Sequence, residues 1–239
     1  MHGLRAFALI LLSLVASGCA NAPAGQADDP FESFNRKVFS FNQSLDHHAA
    51  LPAATFYKSA VPGGVRDGLH NVILNIGLPV TFANDLLQGE FSRAGDAAGR
   101  FCVNTTIGVA GFMDPATDMG LPYQQEDFGQ TLGVYGVPGG PYMVLPLLGS
   151  ALPRDLVGRI VVDHYFSPLG YVNYHGQYYV SITERIFSTV DSRARVIDKL
   201  RDIERTSVDY YAATRDGYIR RRDDQIHNRT SSDIYPILN

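Results

Sequence analysis

Cysteine is almost missing from this chain: Cys19 and Cys102 are the only two among 239 residues. If Cys19 is consumed by processing, no intramolecular disulfide can form, and packing or a membrane must hold the protein together. A dominant charge is missing too. The formal net charge is −4, which argues against the electrostatic footprint of a nucleic-acid binder. Signatures of chemistry are equally sparse, with no Gly-x-Ser-x-Gly elbow, no His-Glu-x-x-His helix and no P-loop. His47 and His48 are adjacent, so on a helix they point about 100° apart and do not face one metal. His164, His175 and His227 are scattered. The sequence therefore offers no catalytic residue, metal ligand or cofactor site. A Ser-His-Asp group assembled across the fold stays open as a lipolytic alternative, since such sites are defined by geometry.

What is present begins with a leader. Arg5 precedes an apolar stretch from Ala6 to Val15, followed by Ala16, Ser17, Gly18 and Cys19. This is the plan of a signal peptide over residues 1–18, too short to span a bilayer comfortably. The segment Leu14 to Cys19 resembles a lipobox, in which the cysteine thiol takes a diacylglyceryl group. Residues 19–28 then read as a lipidated N-terminus and polar tether.

A mainly α-helical domain is expected over residues 29–229, with a short tail at 230–239. Asp29-Pro30-Phe31-Glu32 reads as a helix start, with Asp29 as cap and Glu32 closing a capping box. Phe31, Phe34, Val38, Phe41 and Leu45 then share one face of a helix ending near Asp46. Such a stripe is expected to be core, with contact to lipid acyl chains as the sharper alternative. Further helices are expected over 62–75, 79–87, 91–106 and 153–166. The 153–166 face carries Leu156, Ile160, Val161 and Tyr165.

The middle is unusual, because no charged residue occurs from Phe128 to Pro153 while Gly and Pro recur. It is too broken for a plain spanning helix. Irregular backbone at membrane depth survives only where protein or a water-filled cavity satisfies it, so a cavity-lining or re-entrant element competes with a buried core segment. Tyr165, Tyr171, Tyr174, Tyr178 and Tyr179 suit a bilayer boundary or simple packing. From Glu184 to Arg229, 20 of 46 residues are charged, which reads as a solvated helical flank, including the run Arg220-Arg221-Arg222.

Several ordered motifs resemble one family. They include Asp29-Pro30-Phe31-Glu32-Ser33-Phe34-Asn35-Arg36, Phe41-Asn42, Asn84 to Gly89, Arg100-Phe101 with Asn104-Thr105, and Gly108 to Asp114. Glu126-Asp127-Phe128-Gly129-Gln130-Thr131-Leu132-Gly133, Gly139-Gly140-Pro141-Tyr142 and Arg154-Asp155 continue the series. With these the chain is similar to the MlaA (VacJ) outer-membrane lipoproteins. The resemblance implies a ring-like, donut-shaped helical assembly embedded in the outer membrane, facing the periplasm, with a central amphipathic channel. It implies phospholipid cargo taken from the outer leaflet, an outer-membrane porin trimer and a periplasmic phospholipid-binding protein as partners. It also implies no catalysis and no nucleic acid. On that likeness Gly111, Phe112, Asp114, Pro115, Glu126, Asp127, Phe128 and Gly129 belong to a channel gate loop. Asp29, Pro30, Asn35, Arg36, Phe41 and Asn42 form a first-helix motif, with Phe41-Asn42 packing near that loop.

Overall fold

The structure, a computed structural model, describes residues 29–167 and 177–229. The expected signal peptide, Cys19, the tether and the 230–239 tail lie outside the described residues, as do Tyr171, Tyr174, His175 and the side chains of His164, Tyr178 and Tyr179.

Helix α1 (Glu32–Leu45) does not stop at Asp46 but passes through a π-helical turn (Asp46–Ala50) into α2 (Leu51–Ala60). The wider turn pairs the Leu51 amide with the Asp46 carbonyl, carrying the axis to Pro52, which has no amide hydrogen. The expected cap at Asp29 is also replaced. Phe31 precedes the first turn without a side-chain cap, because the Asp29 carboxylate accepts from the Asn35 amide at 2.8 Å and from the Tyr211 hydroxyl. Glu32 takes no part in a capping box and pairs with Arg36 at 2.8 Å.

Helix α3 (Gly63–Gln88) is one 26-residue element where the sequence suggested two. Pro79 lies inside it and removes only the hydrogen bond to the Asn75 carbonyl. A left-handed Gly89 ends the helix at φ 79°. The next helix, α4 (Phe91–Thr106), packs back along α3. After a loop holding the short α5 (Pro115–Asp118) comes α6 (Phe128–Val134), then a hairpin of β1 (Met143–Leu145) and β2 (Gly149–Ala151). The strands are antiparallel, with Val144 opposite Ser150. The charge-free middle is thus a helical turn plus a hairpin. The run from Pro153 to Phe166 is helical as expected, built from α7 (Pro153–Val157), a π-helical turn (Gly158–Val162) and α8 (Asp163–Phe166). Gly158 crosses α6 so closely that a Cβ there would lie 2.4 Å from the Gly129 amide nitrogen. Helices α9 (Gln177–Arg195), α10 (Ile197–Thr206) and α11 (Tyr210–Ile226) complete the chain.

Neighbour contacts close on themselves. α2 meets α9, α9 meets α3, α3 meets α6 and α6 meets α11. Arg36 of α1 then pairs with Asp209, at the start of α11, at 2.6 and 3.2 Å. First and last helices are therefore joined.

The polarity of this circuit is inverted. Among the described residues, sixteen polar or charged side chains are buried against fifteen apolar ones, six of which are alanine. Large apolar side chains point outward instead. Phe34 is 62% exposed and Phe41 55%, with Phe31 and Leu45 also exposed, so the α1 stripe expected as core is surface and only Val38 of it is buried. Asn35 takes the inner face. Helix α3 repeats the pattern, burying Asn75, Thr81, Asn84 and Asp85 while exposing Val65, Phe82, Leu86 and Leu87. Ile160, Val161 and Tyr165 are exposed too. The periodicity was readable; which side faced inward was not. No helix among the described residues is long and apolar enough to cross a membrane.

Candidate functional site

A cavity of about 220 Å³ opens between α1, the hairpin and α9 to α11. One wall is apolar, from Phe39, Val144, Leu200 and Tyr210, and the other polar, from Asp46, Arg193, Glu204 and Thr214. Asp46 grips Arg193 through both oxygens, at 2.8 and 2.9 Å. Glu204 Oε1 accepts from Gln43 at 2.7 Å and lies 3.4 Å from His47 Nε2. The Arg193 Nη1 atom and the Thr214 hydroxyl are buried without a hydrogen-bond partner. These charged residues escaped sequence reasoning because Asp46 stands 147 positions from Arg193, and Glu204 is on a further helix. The π-helical turn at Asp46 was the local signal that could have marked one of them.

Of the first-helix motif only Asn42 lines this cavity; the rest lies beside it. Asn35 donates to the Tyr142 carbonyl at 3.0 Å and accepts from the Val144 amide at 2.9 Å. Asn42 lines the cavity, donating to the Leu145 carbonyl and accepting from the Leu147 amide, each at 2.9 Å. Arg36 stacks over Tyr211, 4.5 Å from its ring centre. Pro30 lies in the turn before α1. Asn42 thus binds the hairpin, not the Gly111 to Asp127 loop beside which it was expected. Its amide can satisfy a donor and an acceptor at once, which the tip requires because Leu147 stands at φ 67°. Replacing Asn42 with leucine removes both bonds and leaves the partly buried Leu145 carbonyl unpaired, a loss of about 1–3 kcal/mol. Amide exchange across 143–151 should accelerate about tenfold or more, with α4 unchanged. Parent-like exchange there would show that strand pairing alone holds the hairpin.

None of the eight expected gate-loop residues lines the cavity. Gly111, Phe112, Asp114 and Pro115 are fastened to α3 and α4. Asp114 accepts from Arg100 Nη2 through both oxygens, at 2.8 and 2.7 Å, and from the Asn104 amide at 2.8 Å. It also caps α5, with Pro115 in the first turn. The Phe112 ring lies where a Gly68 Cβ would stand, within 2.5 Å. Three consecutive left-handed residues, Val109, Ala110 and Gly111, make the bend. Each of the first two carries about 1–2 kcal/mol of backbone strain.

Glu126, Asp127, Phe128 and Gly129 form the other end, inside a buried ionic cluster. Asp127 caps α6 at Gln130 and takes both Arg222 nitrogens at 2.8 and 2.9 Å. Burial pushes its carboxyl up, but Arg222 outweighs it and holds the group at about 2. Arg222 Nε is 2.9 Å from Asp155, which also accepts from Arg154 at 3.0 Å. Arg222 is therefore not the solvated surface that its arginine run suggested; it is buried between two carboxylates. Burial pushes Glu126 up to about 7, with Gln88 and then Arg93 pulling it back. The Phe128 amide donates to Asp163 at 3.0 Å.

Comparison with known proteins follows this geometry. The family model described as MlaA lipoprotein matches residues 27–225. The chain belongs to the MlaA lipoprotein family. An Escherichia coli relative named intermembrane phospholipid transport system lipoprotein MlaA is 33% identical over 226 residues, covering 92% of this chain and 88% of the relative. Its Haemophilus influenzae namesake is also 33% identical, over 87% and 85%. An uncharacterised Rickettsia felis protein is 34% identical over 82% of this chain and 76% of its own. A solved chain, from work on the structural basis for maintenance of bacterial outer membrane lipid asymmetry, superposes with a TM-score of 0.76. It shares 32% identity and covers 83% of this chain and 99% of its own. The mainly helical MlaA fold is thereby shared.

Proposed function

We propose that this chain is a phospholipid-transport lipoprotein that maintains outer-membrane lipid asymmetry, moving intact lipid without cleaving it. The observation that carries this reading is the distribution of polarity: many large apolar side chains lie on the exterior, while sixteen polar or charged side chains and an amphipathic cavity lie inside among the described residues. An exterior of this kind matches acyl chains, and an interior of this kind matches a headgroup. Cys19 supplies the lipid anchor in the outer membrane, and the ring-like body sits in the bilayer facing the periplasm. The finer expectations from family likeness, a porin trimer beside the ring and a periplasmic phospholipid-binding protein as acceptor, belong to the same proposal. Gating by the Gly111 to Gly129 loop is part of it as well. Here the loop would move against its latch, Asp114 on Arg100.

The test is reconstitution with labelled phospholipid in donor bilayers and a lipid-binding acceptor. Intact lipid should reach the acceptor faster than with protein-free bilayers. Release of free fatty acid would instead mean a lipolytic enzyme, and co-purification of a porin without lipid movement would mean a scaffold.

A further inference from the structure

We infer that Arg159 and Arg221 form a surface site, away from the cavity, for the phosphate of a net-anionic phospholipid whose chains lie on the apolar side chains beside it. The inference goes beyond the transport reading and requires only that this face of the fold meets lipid.

Consecutive arginines of α11 have different surroundings. Arg222 is buried between Asp127 and Asp155, at 2.8 and 2.9 Å, and Arg154 pairs with the other Asp155 oxygen at 3.0 Å. The third aspartate of this region, Asp163, accepts from the Asn84 amide at 3.1 Å and from the Phe128 amide at 3.0 Å. Four arginines, Arg154, Arg159, Arg221 and Arg222, thus meet three aspartates. Among the described residues no carboxylate pairs with Arg221 or with Arg159. Gly158 presses the π-helical turn onto α6, and α6 packs on α11, which brings Arg159 to the α11 side. Its charge acts on Asp127, Tyr218 and Arg221 together.

Arg221 is therefore a partly buried cation among cations. Burial lowers its guanidinium, Arg222 and then Arg159 lower it further, and Tyr218 and Asp127 oppose this more weakly. Like charges brought together away from water disfavour the charged form, and an anion between Arg221 and Arg159 relieves that. Both can reach one. Arg159 is exposed, and although Arg221 Nη1 is closed off from solvent, Nε and Nη2 are not. The planar donor fork of a guanidinium suits phosphate oxygens.

The flanking surface selects a lipid over a free anion. Ile160 and Val161 directly follow Arg159 and are exposed, Tyr165 is exposed one turn on, and Val134 and Tyr135 are exposed at the end of α6. Basic side chains beside exposed apolar ones hold anionic lipid at an interface, charge on phosphate and apolar area on acyl chain. A zwitterionic headgroup would bring its own ammonium toward the two guanidiniums, so a net-anionic one is favoured.

The experiment uses the full-length lipidated protein in a neutral detergent, titrated by calorimetry with dihexanoyl phosphatidylglycerol, dihexanoyl phosphatidylcholine or inorganic phosphate. At low salt phosphatidylglycerol should bind about tenfold more tightly than phosphatidylcholine, and added salt should shrink the difference. Arg159→Gln, an exposed change, should reduce that preference to about twofold or less. Arg221→Gln should do the same while the lipid-free protein melts no lower than the parent, since an uncompensated charge is removed. Equal affinities for the two lipids in the parent would overturn the inference, as would an undiminished preference in Arg159→Gln. Inorganic phosphate binding as tightly as phosphatidylglycerol would overturn it in favour of a free-anion site. A lowered melting temperature in Arg221→Gln would show that the fold itself compensates this charge, and would remove Arg221 from the site.

Discussion

Arg222→Met should lower the stability of the folded chain by about 3–5 kcal/mol near neutral pH, because it strands the largely buried Asp127 carboxylate and leaves buried Asp155 with Arg154 as its remaining cation. For a chain of this size that corresponds to a fall in melting temperature of about 10 °C or more, read in detergent solution. Methionine fills much of the arginine stem's volume, so lost packing contributes little. The pH dependence separates charge from packing. In the parent, the Asp127 carboxyl is held at about 2, below the ordinary value of about 3.9 for aspartate. Its contribution is therefore complete above about pH 5 and lost as pH falls through about 2. In the variant, burial acts on Asp127 against only the Gln130 amide and the charge of Arg159, so the carboxyl protonates at higher pH and its penalty is relieved. The stability gap between variant and parent should narrow from pH 8 to pH 4. A gap constant over that range would show that Arg222 acts by packing alone.

The same site shows what the sequence could and could not convey. Helix positions were legible because apolar residues recur at spacings of three and four, and α4 was expected with the bounds it has. Orientation was not legible. Periodicity reports that a helix has an apolar face, and that face turns inward only when the surroundings are water. Phe34 and Phe41 lie on the exposed side, and Asn35, with the same repeat, lies inside. Arg222 was misread by the same assumption, that a charged run lies at the surface. The cavity was invisible for a different cause. Asp46, Arg193, Glu204 and Thr214 meet only through the closure of α1 against α9 to α11, and no local pattern records that closure. The family motifs, by contrast, marked residues whose bonds prove to be long-range. Asn35 and Asn42 tie α1 to a hairpin more than a hundred positions away.

The exposed phenylalanines give the second large effect. If α1 turns Phe34 and Phe41 toward acyl chains, the double change Phe34→Ser with Phe41→Ser should weaken the fold's own hold on a bilayer. Burial of one such side chain contributes about 1.5–3 kcal/mol, so two contribute about 3–6. Each 1.4 kcal/mol is tenfold, so vesicle partitioning should fall by about 100-fold or more. The measurement belongs in a Cys19→Ser background, since an acyl anchor adds affinity of its own for each buried methylene and would mask the loss. Stability distinguishes the alternatives, because both side chains are more than half exposed. Changes at such positions move folding stability by less than about 0.5 kcal/mol, so the melting temperature in detergent lacking a bilayer should stay nearly fixed. Weakened partitioning with an unchanged melt would place this face of α1 in lipid. Unchanged partitioning would place it in water or against a partner, and the inverted polarity would then need a protein, not a membrane, to cover it.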